Sequence, residues 1–391
     1  MRLIIPLEVN AILEALSHAG FAAFPVGGCV RDALLGLIPS DWDITTAATP
    51  REVLSALSNF RVIPTGLRHG TITALSGCVP IEITTFRTDG TYSDGRHPDD
   101  VNFSRLLSDD LVRRDFTINA MALAPNGDII DLCTGQADLA AGIIRAVGDP
   151  DRRFQEDALR ILRALRFASR LGFTIETCTA QSLCAHCERL RFLSVERVFS
   201  ELKQLLCGRH AAWILREFRP VFQSILPEMF STFSSPGEAR RATWCWALAT
   251  RAVEHAPNDL VLRLTALFWY GGRLRRCAPS QRPAHSVALA DALLSRLRCD
   301  NATKRGVTTL LAAAETRFSP DRTLLLSLLL VRSESLLRAL LALQRATHPA
   351  HDRRLTETAQ LLDDVLASRP CLMLRDLAVN GHDLMALGLS G

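Results

Sequence analysis

Residues 26–46, VGGCVRDALLGLIPSDWDITT, bring two adjacent glycines, an Arg-Asp pair and the carboxylate pair Asp41-x-Asp43 into one short stretch. In an extended segment successive side chains alternate faces, so Asp41 and Asp43 point the same way and Trp42 the other. Carboxylates held side by side repel, and a hard divalent cation relieves the repulsion. Mg²⁺ takes carboxylate oxygens, and such a pair can bridge two ions roughly 3.5–4 Å apart for in-line phosphoryl transfer. Gly27 and Gly28 lack a Cβ and let backbone approach a triphosphate closely, while Arg31 can clamp it with its forked guanidinium. Metal plus triphosphate reads as nucleotidyl transfer. A bare Asp-x-Asp is more simply a surface loop with two solvated aspartates; fixed behind Gly27-Gly28-x-x-Arg31-Asp32-x-Leu34-Leu35-Gly36-x-x-Pro39, it asks for the metal.

Three later groups carry further chemistry. Glu82 lies between Ile81 and Ile83, so strand alternation puts it on the polar face as a candidate third metal carboxylate beside Asp41 and Asp43; the alternative is a strand glutamate facing water. Arg113-Arg114-Asp115 precedes FTINAMA, read as a helix start, where arginines can hold phosphate and Asp115 can accept from ribose hydroxyls. In GDPDRRFQEDALRILRALRF, residues 148–167, Asp157, Arg160, Arg163 and Arg166 recur every three residues and would form one row on a helix surface. A solvated ridge of one acid and three bases would look the same, yet neighbouring arginines repel unless an anion or acid sits among them. Cytosine and adenine each show an amine donor beside a ring-nitrogen acceptor, whereas uracil and guanine show a carbonyl beside an N–H. An Asp157–Arg160 pair offers one acceptor and fixed donors, so it complements C and A and opposes U and G, at ~1–3 kcal/mol for a good bidentate contact.

These motifs together resemble the class II tRNA nucleotidyltransferase and bacterial poly(A) polymerase family of the polymerase β superfamily. The resemblance implies that Asp41 and Asp43 hold two Mg²⁺, that Arg114 contacts the nucleotide and that Asp115 tells ribose from deoxyribose. It also implies that Glu156-Asp157-Ala158-Leu159-Arg160, the family's EDxxR motif, selects the base, with Arg163 and Arg166 on nucleotide phosphate or RNA. Residues 65–70, TGLRHG, lack the GRRF-type segment typical of the poly(A) polymerases. Residues 84–103, TTFRTDGTYSDGRHPDDVNF, match the flexible loop that CCA- and A-adding enzymes possess and CC-adding enzymes lack; their composition alone also reads as a mobile polar loop.

The elements that must position these groups follow from periodicity. Residues 8–19 have helical spacing ended by Gly20; FAAFPVGG reads as a buried strand, Val30 to Leu37 as a helix and DWDITT as the second strand. Thr49-Pro50 opens a helix by N-cap and first-turn proline, and FRVIPT, GTITAL and VPIEITTF read as three more strands. From about residue 140 strand signals stop. The fold class is therefore α+β: a small mixed β-sheet nucleotidyltransferase head (1–140), then an all-α neck with the base-selecting helix (141–207), body (208–320) and tail (321–391). Ser194, Arg197 and Glu201 in FLSVERVFSELKQLL read as a capped helix with internal ion pairs. Breaks fall at Pro220, Pro236 and Pro257. The ending, LMLRDLAVNGHDLMALGLSG, resembles a family tail motif that normally continues, and the chain stops within it at Gly391.

Bulk properties agree. A chain of 391 residues should form two or more domains. Of 45 Lys+Arg only Lys203 and Lys304 are lysines; the arginine bias suits phosphate and RNA, or simply a GC-rich genome. With no lysine before residue 203, a P-loop or kinase-type site is excluded from the N-terminal half. Eleven cysteines at irregular spacing, no secretory signal and no apolar run near ~20 residues point to a soluble cytoplasmic protein. Cys184-x-x-Cys187 reads as ordinary helix cysteines rather than a zinc site, and His351-Asp352 has no companion pair to make a metal site. The expected activity is template-independent addition of C, C and A to the tRNA 3′ end from CTP and ATP, with tRNA acceptor stem and elbow as partner, and no membrane or DNA. A-only or CC-only addition and poly(A) polymerisation remain alternatives, as does an RNA-binding protein that retains the fold.

Overall fold

The computed structural model describes residues 4–90, 101–230, 236–274, 278–368, 370, 372 and 381–386. Residues 91–100 of the loop and most of the tail motif lie outside the described residues. The chain forms two compact units, Met1–Glu201 and Leu202–Gly391.

In the first unit, helix α1 (Leu7–His18) buries Val9, Ile12 and Leu16 and leads into strand β1 (Ala23–Pro25). Helix α2 (Gly28–Leu34) follows the glycine turn, then strand β2 (Asp43–Thr46) and helix α3 (Pro50–Ala56). The α3 start is capped as its sequence predicts: Glu52 Oε2 accepts from the Thr49 backbone N–H at 2.7 Å. Strands β3 (Arg61–Gly66), β4 (Thr71–Ser76) and β5 (Val79–Thr85) complete a five-stranded sheet of order β1-β2-β5-β4-β3. The sheet is mixed: β2 and β5 run parallel and the other neighbours antiparallel. Alternation sorts its faces. Ile44, Ile72, Ala74, Ile81 and Ile83 are buried, with α1 packed on β4 and α3, while Asp43 and Glu82 stay exposed.

Past the sheet, β6 (Arg87–Asp89) and β7 (Val101–Phe103) pair antiparallel as the two arms flanking residues 91–100. Helix α4 (Leu107–Val112) leads to Arg113-Arg114-Asp115. The segment FTINAMA is not the start of a helix. Thr117–Asn119 makes a single 3₁₀ turn, and β8 (Met121–Leu123) follows, paired antiparallel with β9 (Ile129–Asp131). Nor do strands end at 140: after α5 (Gly135–Ala141), the short β10 (Ile143–Ile144) pairs in parallel with β11 (Thr174–Ile175). Between them lie α6 (Pro150–Glu156) and α7 (Leu159–Leu171), followed by α8 (Thr177–Ala185) and α9 (Val195–Leu206).

The second unit is helical throughout its described residues. It contains α10 (Ala211–Glu217), α11 (Arg219–Ile225), α12 (Pro236–His255), α13 (Leu260–Trp269), α14 (Arg282–Arg296), α15 (Asn301–Ala313), α16 (Arg322–Val331), α17 (Glu334–Thr347) and α18 (Asp352–Ala367). Pro220 and Pro236 sit in first turns and Pro257 between α12 and α13, where a missing N–H is tolerated. Leucines of α15 to α18, including Leu310, Leu325, Leu340 and Leu362, close one core. Among the described residues no helix is long and apolar enough to cross a membrane.

Candidate active site

The site begins at the glycine turn. Val26 donates its N–H to the Asp43 carbonyl at 3.0 Å and Gly27 to the Met121 carbonyl at 3.1 Å, so the turn is pinned between the strand bearing Asp43 and β8. Gly27 has φ +82° and ψ −126°, a conformation almost reserved for glycine. A Cβ there would lie 3.0 Å from Arg114 Nη1. The missing side chain is thus what lets the Arg113-Arg114 segment close onto the turn.

Asp41 and Asp43 are exposed on one side and Trp42 is buried on the other, as the alternation requires. Asp43 stands opposite Glu82 in the parallel β2–β5 register. Although open to solvent on one side, Asp43 is closely surrounded on the others. Burial, then the negative charge of Glu82, then that of Asp41 push its carboxyl up to about 6, against the pull of Arg114 and Arg163. Uncompensated negative charge of this kind is what a hard cation relieves, and two carboxylates completed by substrate phosphates suit Mg²⁺. The residues fit the ion. Among the described residues, however, no set of three or more His, Cys, Asp or Glu donors is gathered as for a metal. Glu82 is a neighbouring charge to Asp43 in this arrangement.

Arg31 is not an open clamp. It is 7% exposed, its Nε donates to Asp32 at 2.8 Å and its Nη1 to Asn119 Oδ1 at 2.6 Å, and its guanidinium lies 5.0 Å from the Phe167 ring centroid. It can reach a triphosphate only by exchanging these contacts. The reason lies in α2, whose short turn brings Arg31 against the 3₁₀ turn bearing Asn119. Arg163 and Arg166 share the Phe167 ring, at 5.5 and 4.3 Å.

Asp115 is held by three partners. Its Oδ1 accepts from the Phe116 N–H at 2.8 Å and Asn119 Nδ2 at 3.2 Å, and its Oδ2 from Arg163 Nε at 2.8 Å. Burial alone would raise this carboxyl, but Arg163 and the Asn119 hydrogen bond outweigh it and bring it to about 2. Arg113 and Arg114 both pair with Asp110, at 2.5 and 2.9 Å. Asp110 is fully buried and also accepts from Thr45 Oγ1 at 3.1 Å, which ties α4 to β2.

The expected four-residue row is corrected by the helix break after Glu156. Asp157 has φ −144° and ψ 106°, outside both α6 and α7, because its Oδ1 accepts from the Leu159 N–H at 2.9 Å and starts the new helix. Only Arg160, Arg163 and Arg166 continue along α7. Asp157 and Arg160 are also oriented separately. Asp157 Oδ2 accepts from Arg197 at 2.8 Å; Arg160 Nη1 donates to Glu156 Oε2 at 2.5 Å and to the Arg153 carbonyl at 3.1 Å. Arg166 pairs with Glu201 at 2.7 Å. Arg197 and Glu201, expected to pair within their own helix, instead reach back to Asp157 and Arg166. Asn119 and Asp110 are supporting residues that the sequence does not mark; Glu156 is marked only as part of EDxxR, and Arg197 and Glu201 only as a pair within their own helix.

Electrostatics joins these groups into one neighbourhood: Asp43 feels Arg114 and Arg163, Asp115 feels Arg160, and Arg163 feels Asp157 and Glu201. A carboxylate pair beside a glycine turn, with several fixed guanidinium groups around it, can hold a metal-bound triphosphate.

Comparison with known proteins agrees. Residues 23–145 match the family described as the Poly A polymerase head domain, and residues 172–232 that described as a probable RNA and SrmB-binding site of polymerase A. The CCA-adding enzyme of Lactiplantibacillus plantarum is 49% identical over 209 residues, 53% of this chain and 51% of that protein. That of Ligilactobacillus salivarius is 42% identical over 262 residues, 64% of this chain and 63% of that protein. The chain thus spans about half the length of the first of these curated relatives. The crystal structure of the Bacillus stearothermophilus CCA-adding enzyme in complex with CTP superposes with TM-score 0.70 at 30% identity, covering 99% of this chain and 89% of that one. On that likeness, and on the two domain matches, the chain belongs to the family of CCA-adding enzymes and poly A polymerases.

Proposed function

We propose that the chain adds C, C and A to the 3′ end of tRNA from CTP and ATP, releasing pyrophosphate. The carrying observation is the single neighbourhood in the first unit that joins Asp41 and Asp43 to Arg114, Asp115, Asp157, Arg160 and Arg163. The Gly27-Gly28 turn brings Arg114 close, and Arg31, Arg114, Arg163 and Arg166 form the cationic surround of the triphosphate. Asp41 and Asp43 are the residues that would hold Mg²⁺, which when bound supplies a Lewis acid for the triphosphate and the attacking hydroxyl. The tRNA 3′-hydroxyl attacks the α-phosphorus and pyrophosphate leaves.

Asp115, kept ionised by Arg163, accepts from the ribose hydroxyls. Asp157 accepts from the amine of C or A and Arg160 donates to its ring acceptor; a carboxylate with about four lone-pair sites can serve Leu159, Arg197 and a base together. The expected head (1–140) falls in the first unit and the expected body (208–320) and tail (321–391) in the second, while the expected neck (141–207) runs past the division at Glu201; the helical second unit holds the tRNA towards its elbow. The arms β6 and β7 support the terminal A step, since the loop they flank has its counterpart in enzymes that add A.

The experiment is direct. tRNA ending before CCA, after C and after CC is incubated with each nucleotide and with all four, and the 3′ ends are sequenced. Ordered C, C, A and arrest support the proposal. A alone, CC alone, an open-ended A tract or no incorporation replace it with A-only addition, CC-only addition, poly(A) polymerisation or RNA binding without catalysis. Asp41→Ala should abolish incorporation while nucleotide binding partly survives.

A further inference from the structure

The second unit contains a cavity of about 580 Å³ that none of the chemistry above uses. It lies among the C-terminal ends of α13, α15 and α17 and the start of α18, and its lining includes Trp269, Arg273, Arg317, His348, His351 and Arg354. Helix C-termini leave carbonyls without partners, and such a place would ordinarily favour cations. Here three of those carbonyls are already taken. Gln344 Nε2 donates to the carbonyls of Ala314 at 2.9 Å and Thr316 at 2.6 Å, and the Tyr270 hydroxyl donates to the Thr347 carbonyl at 3.0 Å.

The donors are left over. Trp269 is 7% exposed, and its indole Nε1 is buried with no hydrogen-bond partner, an arrangement that costs free energy unless a ligand or water completes it. Among the described residues Arg273, Arg317 and Arg354 form no ion pair with a carboxylate, although Glu315 also lines the cavity. Arg273 instead lies 5.1 Å from the Tyr270 ring centroid. His348 and His351 stack in parallel at 5.9 Å. Burial first, then the charges of Arg273 and His351, lower the His348 imidazole's proton affinity. A cavity of this size, in which three arginines and an indole N–H outnumber the one carboxylate of Glu315, fits an acceptor-rich anion with a ring or sugar attached.

We propose that this cavity is a second ligand site of the chain, taking a phosphate-bearing molecule of nucleotide size through Arg317, Arg354 and the Trp269 indole N–H. The phosphate can come from a free nucleotide or from an RNA backbone, and the test separates the two. The full chain is labelled with ¹⁵N-tryptophan, so its five tryptophans give indole signals, and Trp269→Phe identifies the one to follow. Inorganic phosphate, AMP, adenosine and a short single-stranded RNA are titrated separately. Phosphate and AMP should move the Trp269 signal and adenosine should not. The double variant Arg317→Ala, Arg354→Ala should weaken the AMP response by roughly tenfold or more, while the other indole signals stay in place and show that the fold survives. A response to RNA alone supports phosphate recognition with the polynucleotide as its source. Silence with every phosphate probe, an equal response to adenosine, or an undiminished response in the double variant overturns the proposal.

Discussion

Arg197 Nη2 donates to Asp157 Oδ2 at 2.8 Å, so a residue of α9 fixes the carboxylate proposed to read the base. The other oxygen of Asp157 is held by the Leu159 N–H, and the two contacts leave the carboxylate one orientation. Replacing Arg197 by Met should leave Asp157 in place by its backbone bond but free to rotate. We expect incorporation to continue while the preference for CTP and ATP over UTP and GTP falls by roughly tenfold, about 1.4 kcal/mol of the ~1–3 kcal/mol a bidentate contact carries. The comparison of kcat/KM for the four nucleotides on one tRNA checks this. An unchanged ratio would mean that Arg197 supports only the fold.

The same pair shows where the sequence was legible and where it was not. Strand alternation put Asp41, Asp43 and Glu82 on one face because that period depends only on backbone geometry. The break after Glu156 was hidden because EDALRILRALRF keeps helical spacing through it; the break depends on one side chain, Asp157, bonding to the backbone two residues on. Arg197 and Glu201 four apart read naturally as a pair within one helix, and their true partners, Asp157 and Arg166, are set by tertiary packing. Asp110 is a related case: nothing around it in the sequence marks it, yet it is the buried anchor of two arginines. FTINAMA lost its helix to a strand pairing with Ile129–Asp131 that no local signal announces.

Gly27→Ala should test the contact between the turn and the Arg113-Arg114 segment. At φ +82° an alanine is strained by ~1–3 kcal/mol, and its Cβ meets Arg114 Nη1 at 3.0 Å. The guanidinium, the end of a flexible side chain, is the part that yields. Nucleotide KM should therefore rise more steeply than the melting temperature falls. Gly20→Ala, at φ +86° but with open space around the added carbon, is the control, with similar strain and unaltered KM.

Asp115 predicts a pH dependence. Its folded value of about 2 lies below the ~3.9 of an unfolded aspartate, so on acidification the unfolded chain takes up the proton first. The stabilisation is complete above the unfolded value and is lost as pH falls through the folded one, about 2.6 kcal/mol in all at ~1.4 kcal/mol per pKa unit. Arg163→Met removes the main cation that opposes burial, so the carboxyl should rise and acid unfolding should begin at higher pH. Circular dichroism followed from pH 7 downward on both proteins reads the shift directly; superimposable acid transitions would show that Arg163 does not hold Asp115 ionised.

Asp110 is the residue whose loss should be felt most widely. Burial works against its charge, and only Arg114 and Arg113 beside it keep its carboxyl below the ordinary range. Removing one member of a buried pair costs ~3–5 kcal/mol, because the remaining charges lose their partner. Here Arg113 and Arg114 are 16% and 18% exposed, so water can recover part of that cost. Asp110→Asn keeps the shape and one acceptor for Thr45, and it should destabilise the chain by ~3 kcal/mol in urea unfolding. The freed Arg114 lies against the Gly27 turn, so an added anion should recover stability in Asp110→Asn more than in the parent. A variant that unfolds no earlier than the parent, or that gains nothing extra from sulfate or pyrophosphate, would show that the two arginines do not depend on Asp110.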